Sequence, residues 1–437
     1  MHIKSELKMK RDFKFYALLL AAMTAFSACS SKDDTLDLEE EDDTIILLDG
    51  TNIQLTPEQS LLARKTNDFA FELFRAASKT QAKEASQLLS PISATYVLGM
   101  LNSGAEGETA RQLASVLGFG EKDKETINEF CRKIMTEMPS TDPNVTLKVA
   151  NYMAANKRFS LDFEPQYESD MRHFYDAELA ELDFELPSDL KVIDNWCSDH
   201  TNGLIQQISE QIKSGTMLAI LNATYFKAVW NRKFKEKNTR TETFTQEGGK
   251  QQKVKMMHQK FFGQYWINDL YATLCLPYGA GFNWSMYILL PNKGKTVNDI
   301  INHLTKDNWE SDHSFTKSSI VDVKLPRFAT NSEVDLKPVI EQMGAPMIFD
   351  DATEFTKMFT NAKELKVGKL IQKNFTQVNE EGSEAAAITL AAVESSAAGP
   401  STIHYNEVDF HCDHPFVYFI KESSSNIIFF IGAYRGE

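Results

Sequence analysis

Residues 379–402 read NEEGSEAAAITLAAVESSAAGPST, with seven alanines, four serines and no aromatic residue, lysine or arginine. No other stretch restricts the fold as strongly. It lies between segments patterned as strands of a packed sheet, and a structureless connection this long inside a domain is uncommon. The plain alternative is a disordered linker. Parity argues for a strand instead, because side chains of an extended chain alternate faces. Ser383, Ala385, Ala387, Thr389, Ala391 and Val393 carry no charge, while Glu384 and Glu394 fall on the opposite phase. The uncharged phase is also small, as it must be if the segment enters between strands already packed, where added bulk costs roughly 1–3 kcal/mol per site. Gly382 supplies a hinge.

The body opens at Thr56-Pro57-Glu58-Gln59, a capping box with proline at the first helical position. Phe69, Ala70, Leu73 and Phe74 follow at helical spacing. SPISATYVLGMLNSGAEGETARQLASVLGFG predicts two further helices, the first starting at Ser90-Pro91 with Gly104 after its end, the second closed by Gly118. The first third is thus mostly helical. LAILNATYFKAVW, from Leu218, is apolar on both phases, as a central strand covered on both faces requires. VDVKLPRFA, HYNEVDF, PFVYFI and NIIFFIGAY predict a sheet-rich end, with KESSSN as a hairpin turn. The fold class is α+β, with one domain over residues 56–437.

Ahead of it, Lys4, Lys8, Lys10, Arg11 and Lys14 precede the apolar run Phe15–Phe26 and Ser27-Ala28-Cys29. This is the layout of a signal peptide over residues 1–28, too short to span a bilayer. Its end resembles a bacterial lipobox, with Phe26 where an aliphatic residue is usual; Cys29 then carries the lipid. Cleavage near Ala28 with Cys29 left free is the alternative. Residues 29–55 form a tether in which eight of the eleven residues from Asp33 to Asp43 are acidic. The pattern predicts a cell-envelope lipoprotein exposed at the outer-membrane surface, touching the membrane only through its lipid. Residues 29–437 hold 41 basic and 59 acidic side chains, which argues against nucleic acid as partner.

Signatures of an enzyme are missing. GxSxG and HExxH do not occur, and neither Gly118-Phe-Gly120 nor Gly279-Ala-Gly281 continues into a nucleotide fingerprint. Ser395 and Ser396 have no base beside them. His411, Cys412 and His414 are the one metal-like run, but adjacent strand residues face opposite ways, so structural roles and no metal are expected. Cys131, Cys197, Cys275 and Cys412 stand singly and are expected to be buried free thiols.

The chain resembles a serpin from about Thr56 onward. The matching motifs are SPIS at Ser90, GAEGETARQL at Gly104, IDNWCSDHTNGLI at Ile193, LNATYFKAVW at Leu221, KVKMMHQ at Lys253, LPY at Leu276, KLPRF at Lys324, VNEEGSEAAA at Val378 and HPF at His414. The resemblance implies about nine helices, three sheets, and a reactive loop over about residues 380–402 that baits a protease. The protease forms an acyl bond to the residue before the cut. The freed arm then enters the main sheet as an extra strand; about fourteen residues at roughly 3.3 Å each carry the tethered protease some 45 Å.

Residue by residue, the resemblance makes Glu380, Glu381, Gly382, Ser383, Glu384, Ala385, Ala386, Ala387 and Thr389 the hinge of an inhibitory member. Ser90, Ser93 and Asn222 match the shutter beneath the sheet, and Trp230 the aromatic at its breach. Counting from Gly382 puts the reactive bond at Ser396–Ala397, with Val393, Glu394 and Ser395 as alternatives. Small or aliphatic candidates fit elastase-like or subtilisin-like serine proteases and not a trypsin-like pocket; papain-like cysteine proteases stay open. Departures are Ile388, on the outward phase, Ala228 for a usual glycine, Gln372 for a common histidine, and a C-terminus lacking the usual proline. The implied protein is a monomeric suicide-substrate inhibitor without cofactor, partnered by its target protease. A non-inhibitory binding or structural serpin is the rival.

Overall fold

Helix α1 (Pro57–Thr80) starts where the capping box predicts, with Thr56 Oγ1 accepting from Gln59 N–H and the Gln59 side chain accepting from Thr56 N–H, each at 3.1 Å. The computed structural model describes residues 50–82, 85–120, 124–314, 317–350, 353–361, 365, 367–368, 370–383 and 406–436, and the backbone of 44–45 and 392–393. The expected signal peptide, Cys29 and the acidic run therefore lie outside the described residues. Thr44–Ile45 pairs antiparallel with Ala392–Val393.

After α1 come β1 (Gln87–Leu89), α2 (Pro91–Gly104), α3 (Gly107–Val116), α4 (Lys124–Glu137), β2 (Val145–Asn156), α5 (Pro165–Tyr175), β3 (Ala177–Leu182), α6 (Pro187–His200) and β4 (Leu218–Val229). Next are β5 (Arg240–Thr245), β6 (Gln251–Ile267), β7 (Tyr271–Tyr278), β8 (Trp284–Pro291), α7 (Val297–His303), α8 (Lys306–Asp312), β9 (Lys317–Pro326) and β10 (Phe328–Asp335). The chain ends with α9 (Lys337–Met343), β11 (Ile371–Val378), β12 (Gly382–Ser383), β13 (Glu407–His411), β14 (Phe416–Glu422) and β15 (Ile428–Tyr434). Nine α-helices thus occur among the described residues, and none is long and apolar enough to cross a membrane.

A six-stranded sheet has the order β10-β11-β12-β4-β2-β3, and a nine-stranded one the order β13-β9-β6-β7-β8-β14-β15-β1 with β5 on β6. Two of the expected sheets are joined because β6, 17 residues long, pairs with β5 at its start and with β9 and β7 further on. KLPRF, expected within one strand, is divided: β9 ends at Pro326 and β10 begins at Phe328, so Arg327 passes the chain between sheets. Gly104 closes α2 from inside the helix.

β4 is covered on both faces, as its composition requires. Phe226 and Ala228 join the main core; Ala219, Leu221 and Ala223 join a second core with Ile193, Trp196 and Cys197 of α6. Cys131, Cys197, Cys275 and Cys412 are free and buried; burial pushes the Cys131 and Cys197 thiols up to about 12, which leaves them protonated and inert. The KESSSN hairpin is held by Glu422, whose carboxylate accepts from the N–H and hydroxyl of both Ser424 and Ser425 at 2.6–2.9 Å.

Candidate functional site

Among the described residues, the two halves of the six-stranded sheet are joined in the ladder through two residues. Gly382 and Ser383 lie opposite Val229 and Ala228 of β4, and Ser383 also faces Val378 of β11. Below that point β4 and β11 are not ladder partners among the described residues. The gap holds cavities of about 80 and 30 Å³. Leu218–Leu221, Leu370 and Ile371 line the larger; Ser93 of α2 and Cys197 of α6 both reach the smaller, so the opening runs through the sheet from one helical layer to the other.

At the upper end the hinge is held by backbone and side-chain contacts. Asn379 and Gly382 exchange backbone hydrogen bonds at 3.0 and 3.3 Å, which turns the chain back from β11. Trp230 N–H donates to Glu381 O at 2.9 Å, Phe234 N–H to Glu380 O at 3.0 Å, and the Trp230 indole to Asn379 O at 2.8 Å. The indole stacks on Tyr278 at 4.3 Å and 9°, and the Tyr278 hydroxyl lies 2.5 Å from Ser383 Oγ. Gly382 has φ +153°, and a Cβ there would sit 2.0 Å from Ala228 O, against backbone that cannot yield.

Glu380 is buried, with its carboxylate 2.6 Å from Arg327 Nε and bonded by the Thr239 hydroxyl. Burial raises its pKa, but hydrogen bonds from Arg327 and Thr239 outweigh that and hold it below the ordinary glutamate value of 4.5. Glu381, half-buried, pairs with Lys233 at 2.6 Å.

Ser90, Ser93 and Asn222 lie lower, in two sets of side chains joined at the cap of α2, where Ser90 Oγ accepts from Ser93 N–H at 3.4 Å. Gln372 takes Ser90: its carbonyl accepts from Ser90 N–H at 3.0 Å and its amide donates to Ser90 O at 2.8 Å. Asn374 donates to Gln372 at 3.0 Å and to Leu88 O at 3.1 Å. Across the gap, Ser93 Oγ lies 2.6 Å from Thr224 Oγ1, which donates to Asn222, which donates to Asn151 at 2.8 Å. Asn374, Thr224, Asn151, Tyr278 and Arg327 escape sequence reading because their partners lie far along the chain, and Gln372 shows in the sequence only as a departure. LNATYFKAVW, LPY and KLPRF mark three of them, Thr224, Tyr278 and Arg327, without showing what they touch.

Glu384, Ala385, Ala386, Ala387, Thr389, Glu394, Ser395, Ser396 and Ala397 lie outside the described residues, and Val393 is described in backbone alone. The His411-Cys412-His414 run does not converge. Cys412 is buried and its N–H donates to Lys324 O at 2.8 Å, while His414 bonds Asp413 at 2.8 Å and Pro291 O at 3.2 Å.

A family profile described as "Serpin (serine protease inhibitor)" matches residues 64–435. Serpin B4 of Homo sapiens is 33% identical over 396 residues, covering 85% of this chain and 98% of that protein. A leukocyte elastase inhibitor of Bos taurus is 33% identical over 385 residues, covering 85% and 98%. The thermophilic serpin tengpin in its native state superposes with a TM-score of 0.77 at 24% identity, covering 89% of this chain and all of that one. Profile, relatives and fold agree with the split sheet and its seated hinge: the chain belongs to the serpin family.

Proposed function

We propose that the protein is an irreversible inhibitor of an elastase-like or subtilisin-like serine protease, acting by loop cleavage, acyl-enzyme trapping and strand insertion. The observation that carries this is the register of the seated hinge. Continuing the pairing Gly382↔Val229 and Ser383↔Ala228 down the gap brings Val393 opposite Leu218, where β4 ends. The arm as far as Val393 therefore matches the edge it would join, and a cut at Ser396–Ala397 frees that length with three residues over.

The same register gives each phase its surroundings. Ala385, Ala387 and Thr389 come opposite Phe226, Thr224 and Asn222 on the side of Ser90 and Ser93, where small side chains fit and the Thr389 hydroxyl reaches the shutter amides. The other phase meets α6 and not water. Ile388 and Leu390 fall opposite Ala223 and Leu221, members of the second core, so an apolar residue at 388 gains burial there.

The leukocyte elastase inhibitor among the relatives supports the choice of protease class. The signal-peptide pattern, Cys29 and the acidic tether support a lipid-anchored protein at the cell surface. Incubating the full chain with pancreatic elastase and running denaturing gels tests the reading. A covalent complex is expected, with a new N-terminus at Ala397. Ser383→Arg puts a cation on the buried phase and leaves only clipped chain. Clipping without complex in the wild type overturns inhibition in favour of a binding or structural role.

A further inference from the structure

The outer face of the nine-stranded sheet carries three side chains that loop insertion does not use. Strands β9 and β13 run parallel, with Asp322 opposite Asp409 and Lys324 opposite His411. Residues two apart on a strand share a face, and the alternating Val321, Val323 and Phe410 are fully buried. Asp322, Asp409 and His411 therefore stand together on the outer side. One ligand atom from each lies within 4.8 Å of the others, and His411 Nε2 is 4.0 Å from an Asp322 oxygen.

Two observations mark this group as incomplete. Carboxylates directly across from one another destabilise a strand pair unless a positive charge sits between them. The neighbouring lysines do not supply it: Lys260, opposite Asp322 on β6, binds Glu407 at 2.5 Å, and Lys324 binds Glu242 at 3.1 Å. Independently, His411 Nε2 is shielded from solvent and has no hydrogen-bond partner; 4.0 Å is too long for one. A shielded ring nitrogen within 4.8 Å of two carboxylates that face one another has the composition of a metal site.

We propose that Asp322, Asp409 and His411 bind one divalent transition-metal ion, Zn²⁺ in particular. An imidazole with two carboxylates suits zinc, whereas calcium and magnesium favour all-oxygen shells. Three protein ligands leave the fourth tetrahedral position to water. With bonds of about 2.1 Å the ligand atoms stand roughly 3.4 Å apart, so side-chain rotations of under about 1 Å close the site. The ion ties β13, an edge strand with one neighbour, to β9. Since β13 begins directly after the reactive loop, it also fastens the loop's C-terminal end.

Isothermal titration of the full chain with zinc sulfate, and separately with magnesium chloride, tests this alongside thermal unfolding. Expected are one saturable zinc per chain at this site, a rise of the unfolding midpoint by about 2 °C or more at saturation, and no such response to magnesium. Asp409→Asn and His411→Gln weaken the zinc binding about tenfold or more and abolish the rise. Asp409 is exposed, and removing its charge relieves the repulsion, so the metal-free variant melts no lower than wild type. Asp322→Asn provides an independent second variant. No saturable binding below roughly 1 mM, or binding and midpoint rise unchanged in these variants, overturns the site and assigns any bound zinc to other surface groups. Neither readout depends on protease inhibition.

Discussion

The upper and lower ends of the gap between β4 and β11 are built from the same two strands, yet only one is finished. At the top, Trp230, Tyr278, Arg327 and Thr239 satisfy residues Asn379–Ser383 with backbone bonds, a stacked pair and a buried ion pair. Lower down, the polar groups divide between Gln372 with Ser90 and Thr224 with Asn222, and the space between is cavity. Hydrogen bonding is cooperative along a ladder and costly to leave undone. On the proposed mechanism, a sheet clamped at one end and unpaired at the other gains free energy when the arm begun at Ser383 enters it.

Cutting the loop gives the sharpest test of this contrast. About ten new strand residues at roughly 1 kcal/mol of net hydrogen bonding each amount to about 10 kcal/mol, enough to raise the unfolding midpoint by about 10 °C in a domain of this size. Calorimetry before and after limited proteolysis reads it, and equal midpoints would remove the lower end's unfinished character. Trp230→Ala attacks the finished end. Losing a buried, stacked indole costs about 3–5 kcal/mol, and hydrogen exchange should place the loss at 379–383 and the top of β4, with the shutter little changed.

The smallest effect is acid sensitivity of the top alone. Glu380 is held below its ordinary value, so the ionised clamp contributes full stability above pH 4.5 and loses it as pH falls through the lower folded value. Amide protection at 380–383, relative to the intrinsic exchange rate at each pH, should stay level from neutral pH to about 5 and fall on acidification below 4.5; Glu380→Gln should lack the step. A step in the variant equal to that of wild type would detach the clamp from this carboxylate.

Much of this was legible in the residue order. The Thr56 cap, the doubly covered strand from Leu218 and the hairpin ending the chain are local patterns within one element or between neighbours, and sequence records those directly. The division of KLPRF at Arg327 was not legible, because leaving one sheet for another depends on what stands on either side. The joining of Ser383 to both Val378 and Ala228 shows the same limit: alternation separates two phases, but which strands flank the hinge depends on residues about 150 positions away.

Sequence by itself determined a small-faced, uncharged arm with a glycine at its root, because side-chain size and the two-residue period of a strand are local properties. Tertiary structure alone decided that the root is already seated between Val378 and Ala228, that Arg327 meets Glu380, and that Asp322, Asp409 and His411 share a face. Those are adjacencies across strands distant in the chain, and which strands become neighbours is fixed by how the whole molecule packs its layers.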